Sequence, residues 1–149
     1  MTTWMRNPHA QYAAGTVLLV AAVASGLSWF GRDVRFCRDV LTDLARGRQS
    51  AQARIDWDRL KALDVDVGAT YAKLPNEQEK RQYRQAFIAN FATGFSQSGA
   101  RLDGFANWRV QSDQAGDRVV AADYKPKQKT LLFRISGAWR KRLEAMQWE

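Results

Sequence analysis

Histidine is the side chain best suited to moving protons near neutral pH, and this chain has one, His9. It lies ahead of a long apolar run, so the residues that follow have no histidine for a catalytic triad or a metal site. Two carboxylate pairs, Asp56 with Asp58 and Asp64 with Asp66, stand two residues apart. Side chains at that spacing do not share a helix face, so the pairs read as solvated charges. Cys37 is the single cysteine, which excludes an intrachain disulfide and a clustered-thiol metal site. It is expected to be a small buried apolar residue, the other use being a link between two copies. No catalytic residue, metal site or cofactor is assigned.

The chemistry that remains is apolar and cationic. In YRQAFIANFATGF, Tyr83, Phe87, Phe91 and Phe95 recur every four residues. Each step of four advances a helix face by about 40°, so the line of rings winds as it would across a twisted sheet. Fully burying four rings contributes on the order of 6–12 kcal/mol in gross terms. Net domain stability is roughly 5–15 kcal/mol, so the rings are expected to face the protein's own sheet. The space between helix and sheet is then either filled by side chains or open to an acyl chain. Tyr83, Phe87, Phe91, Phe95, Leu132 and Trp139 are the expected core or pocket residues.

Net charge is +8, and the stretch from Arg118 onward supplies much of it, with eight basic residues against three acidic. Arg134, Arg140, Lys141 and Arg142 are the expected contacts to a partner or to lipid headgroups. No nucleic-acid motif accompanies them, and nucleic acid is not an expected partner.

Several elements must hold these residues. DVRFCRDVLTDLAR has apolar positions at Val34, Cys37, Val40, Leu41 and Leu44, a helical spacing closed by Gly47. IDWDRLKALDVDVGATYAKL reads as a shorter, irregular helical stretch anchored by Ile55, Trp57, Leu60 and Leu63. Asn76 followed by Glu79 marks the start of the aromatic helix, and Gly99 marks its end. WRVQS, RVVAADYK, TLLFRIS and AWRKRLEAMQW are separated by turn-rich joints, which predicts a meander of three or four antiparallel strands. Trp139, Leu143 and Met146 also fit a helix, but a hairpin through Ser136-Gly137 favours a last strand.

Between Arg6 and Arg32 no residue has a fixed charge, and residues 10–30 are mostly apolar. About 20 helical residues span roughly 30 Å, the thickness of a bilayer's hydrocarbon core. Tyr12 and Trp29 suit the headgroup boundary, and Gly15, Ser25, Gly26 and Ser28 permit close approach of another helix. Ala22-Val23-Ala24 after an apolar run also resembles a signal-peptide cleavage site. A buried core helix is a further rival, though the uncharged run is long for one. The reading adopted is a single-pass anchor over 1–31 and one domain over 32–149. The fold class is α+β, an N-terminal transmembrane helix followed by helices packed on a curved, cone-like antiparallel sheet.

The aromatic helix of residues 77 to 97, the strands after Trp108 and the end marked by Trp139, Arg140 and Trp148 resemble the nuclear transport factor 2-like (cystatin-like) superfamily. DVGATYAKLPNEQEKRQYRQAFIANFATGF is also similar to the lipid-carrying auxiliary component of bacterial phospholipid-transport systems, with Gly68, Tyr71, Glu79, Phe87, Phe91 and Phe95 as matching positions. The retained anchor and the short end after the last Trp depart from that family. The resemblance implies a bacterial inner-membrane protein with an exported, periplasmic domain. Arg32, Arg35 and Arg38 after the anchor favour the cytoplasmic side instead. Some superfamily enzymes place Tyr and Asp inside the cone, which would nominate Tyr83 and Asp123, but no enzyme is expected. The expected function is a non-catalytic accessory or scaffold subunit holding a partner in an integral membrane complex, with oligomer formation open. The alternative is a membrane-tethered domain binding lipid or another hydrophobic ligand.

Overall fold

The computed structural model describes residues 31–112 and 118–149. The expected anchor, with Tyr12 and Trp29, lies outside these residues. Among the described residues no helix is long and apolar enough to cross a membrane. Residues Asp33–Glu149 form one compact unit of α+β class.

Helix α1 runs over residues 31–45. It buries Cys37, Val40, Leu41 and Leu44 in the same core as the strands, as its spacing predicts. Gly47, at φ +67°, turns the chain out of this helix. Asp43 lies in its last turn, with Arg54 at 3.1 Å and Arg48 at 3.4 Å, and accepts a hydrogen bond from the Ser50 hydroxyl.

The next segment departs from expectation. Residues Gln49–Arg54 form a 3-10 turn, and the first part of the stretch expected to be irregular helix, from Ile55, instead follows the last strand, interrupted by a turn at residues 57–59. Ile55 bridges Leu143, Asp56 N–H donates to Leu143 C=O at 3.0 Å, and β1 (Lys61–Ala62) pairs parallel to the last strand. A tight turn through Leu63 and Asp64, both at positive φ, leads into β2 (Val65–Asp66). Pairing with an otherwise open strand edge satisfies backbone groups that a lone short helix would leave to water. Helix α2 covers Val67–Ala72 and is capped by Asp66, whose side chain accepts from Ala69 N–H. Gly68 sits where a Cβ would run into the Asp58 carbonyl, so the close approach needs a glycine.

Helix α3 spans Glu77–Gln97. Asn76 caps it by accepting from Glu79 N–H at 2.9 Å, and Glu77 and Glu79 sit at its positive end. Strands β3 (Phe105–Ser112), β4 (Arg118–Tyr124), β5 (Lys129–Ser136) and β6 (Arg142–Trp148) form the expected antiparallel meander. With β1 and β2 added, the sheet has six strands in the order β2-β1-β6-β5-β4-β3 and is mixed rather than purely antiparallel. The final segment is a strand, but it begins at Arg142 and leaves Trp139 in the preceding turn.

Among the described residues, helices cover one face of the sheet. On β5, Leu131, Phe133 and Ile135 are buried, while Leu132 and Arg134 alternate onto the other face. The closed face packs on α1, whereas α3 buries a single residue completely, Ile88. The four rings of α3 are half-buried and pack against the edge of the core. The expectation that they lie fully hidden beneath the strands is therefore corrected. Position over the central strands is taken by the smaller side chains of α1, which leave α3 at the margin.

Candidate functional site

The rings of α3 form a ladder along its length. Tyr83 lies 6.1 Å from Tyr71, Phe87 stands edge-on to Trp57 at 5.5 Å, and Phe87, Phe91 and Phe95 follow at 6.4 Å intervals. The first half of the helix thus rests on Trp57 and Tyr71. Arg84 locks that contact, donating to the Tyr71 hydroxyl at 2.6 Å and to Gln52 Oε1 at 3.1 Å. Lys80 stands 5.2 Å from the centre of the Tyr71 ring.

The second half has no such prop, and a cleft of about 380 Å³ opens between it and the end of the sheet. Phe91 and Phe95 form the helix wall, with Gly94 between them. Phe105, Tyr124, Leu131, Met146 and Trp148 form the sheet wall, and Leu41 of α1 also faces the cleft. On the sheet side Phe105 sits 4.7 Å from Tyr124 and 6.4 Å from Trp148, a second aromatic cluster facing the first. Asn90, Ser98 and Lys127 supply polar atoms, Lys127 being the one charged residue among the described lining residues. Leu63, held out by the β1–β2 turn, borders the cleft and is 39% exposed.

Of the expected pocket residues, Phe91 and Phe95 line this cleft, while Tyr83 and Phe87 belong to the ladder behind it. Leu132 and Trp139 do not contribute. Leu132 points to the opposite face of β5, and Trp139 is 89% exposed. The sheet-wall residues were missed, yet a signal existed. Arg134 shares its face with Leu132, so alternation alone directs Leu131, Phe133 and Ile135 inward.

The other end of the sheet is ionic. Asp33, 3% exposed at its side chain, has Lys141 Nζ at 2.7 Å and Arg118 Nε at 2.8 Å. Arg118 also donates to the Gly137 carbonyl, tying the β5–β6 turn to the start of β4. One turn along α1, Cys37 is fully buried. Burial, and then the Asp33 carboxylate, push its thiol well above the usual range, with Lys141 and Arg118 opposing. The expected contact set is thereby divided. Lys141 is occupied by Asp33, Arg140 and Arg142 are exposed around the turn, and Arg134 lies on the open sheet face.

Asp123 is also on the open face. Hydrogen bonds from Asn107, Arg109 and Thr130 hold its carboxyl below the usual range. Tyr83 packs on the closed side, so the pair nominated for acid–base work is not brought together. Among the described residues no group of three potential metal ligands converges. Compared with protein-family models, curated proteins and solved structures, the chain matches none.

Proposed function

We propose that this chain is a membrane-tethered domain of the nuclear transport factor 2-like kind, which binds an apolar molecule between α3 and the end of the sheet. The cleft carries this reading. At about 380 Å³ it falls within the ~300–1,000 Å³ range of small-molecule sites. Its walls are two aromatic clusters with few polar groups, the composition that favours an aliphatic ligand. Phe91 and Phe95, half-buried in the free domain, would complete their burial against such a ligand. The order of helices followed by strands is consistent with the superfamily likeness. The uncharged stretch between Arg6 and Arg32 supports the tether. Placement of the domain on the periplasmic side of a bacterial inner membrane follows from the likeness alone.

Native mass spectrometry of the full chain, extracted gently from membranes, tests the binding role. A stoichiometric lipid adduct that disappears in Phe95→Glu is the expected result. A clean apo mass for the wild type contradicts it.

A second reading, an accessory subunit that holds a partner in a membrane complex, is favoured by the surface left uncovered. Most of α3 faces outward, and the open sheet face presents Val119, Leu132 and Ala145 beside Arg134. Crosslinking in intact membranes should then capture a neighbour through these faces, whereas recovery of only the uncrosslinked chain would reject it.

A further inference from the structure

The turn between β5 and β6, Gly137 to Lys141, is the least economical surface of the domain. Trp139 has 89% of its surface exposed, the largest exposure among the domain's large apolar side chains. The position is not a loose end. Gly137, at φ +81°, brings the chain so close to the Arg140 carbonyl that no Cβ fits. Arg118 holds the Gly137 carbonyl, and Lys141 is pinned to buried Asp33 at 2.7 Å. Three contacts therefore brace a turn that presents Trp139 outward.

Its surroundings have one chemistry. Trp139 shares a shallow depression with Phe36 of α1, Arg140, Lys141 and Arg142. Arg140, Arg142 and, one residue before Phe36, Arg35 are exposed. An amphipathic ring among cations suits the boundary of an anionic bilayer, where indoles settle at headgroup depth and arginines meet phosphates. The location agrees with this. Through Asp33, Lys141 fastens the turn to the point where the uncharged N-terminal stretch joins the domain.

We propose that Trp139 inserts into the headgroup layer of an anionic membrane while Arg140 and Arg142 contact its phosphates. The domain thereby docks by this turn, and the opposite end of the sheet, with its cleft, faces away. This inference rests on the tether proposed above, and the test separates the two.

The full chain is mixed with vesicles of phosphatidylcholine and phosphatidylglycerol, with and without bromine on the acyl chains. Co-flotation with vesicles reports the tether, and its failure overturns both readings. In the floating fraction, the emission difference between wild type and Trp139→Phe isolates one indole. Bromine is expected to quench most of this difference signal in anionic vesicles and much less in pure phosphatidylcholine. Arg140→Gln and Arg142→Gln should each lower the docked fraction by about fivefold, with added salt acting in the same direction. If the chain floats but this indole keeps its full emission beside brominated anionic lipid, membrane docking by the turn is overturned. Equal quenching in neutral and anionic vesicles would overturn the role given to the arginines.

Discussion

Where β4 and β6 begin, a carboxylate is shut in with two cations, and a fully buried thiol sits one helical turn away. Where the same strands end, about 20 Å further at ~3.3 Å per residue, two sets of rings stand apart around a cleft. One end is closed by charge and the other is left open by apolar surface. The difference teaches what each end is for. In the proposed function, the ion pairs fix the start of α1 and the opposed rings leave space for the ligand.

The contrast is broken most severely at Asp33. Replacing it with Ala leaves Lys141 and Arg118 without their partner in a buried setting, which should cost about 3–5 kcal/mol in urea unfolding. Next, the two halves of α3 should respond differently. Ile88→Ala removes a fully buried side chain and should cost about 2–5 kcal/mol. Phe95→Ala removes a larger but half-exposed one, so it should cost less in stability while weakening ligand uptake more.

Alkaline pH sharpens the ionic end. The Cys37 thiol holds its proton in the folded protein beyond the ~8.5 at which an unfolded thiol releases it. The unfolded state therefore binds fewer protons above that value, and stability falls there by about 1.4 kcal/mol per pH unit. Below pH ~8.5 the contribution is unchanged. Unfolding measured from pH 7 to 10 should show this decline in wild type and a shallower one in Cys37→Ala. The smallest change belongs to the cleft. A Cβ at Gly94 meets nothing within 4 Å, so Gly94→Ala should raise stability by about 1 kcal/mol through helix propensity.

Much of this organisation was legible in the sequence. The spacing of Cys37, Val40, Leu41 and Leu44 predicts the buried face of α1, and the turn-rich joints predict the meander. Asn76 and Glu79 mark the start of α3 because capping is local. Failures came where a distant partner decides. Ile55 and Lys61–Ala62 pair with β6, on either side of a turn, because β6 offers a free edge, which no local pattern announces. The α3 rings sit at the margin because α1 reached the sheet, a competition that a single helix's periodicity does not record. Trp139 is expected in the core or pocket on a last strand, yet the strand starts only at Arg142 and the tight closure at Gly137 leaves Trp139 exposed.

The cleft is the central claim, and Gly94→Leu tests it most directly. This variant keeps the helix and fills the space between Phe91 and Phe95 and the sheet wall. Titration of the full chain with a fluorescent fatty-acyl probe should show one saturable site in wild type and loss of that site in Gly94→Leu, with thermal stability undiminished. Absence of saturable binding in the wild type, or equal binding in both proteins, would contradict an apolar ligand at this end of the sheet.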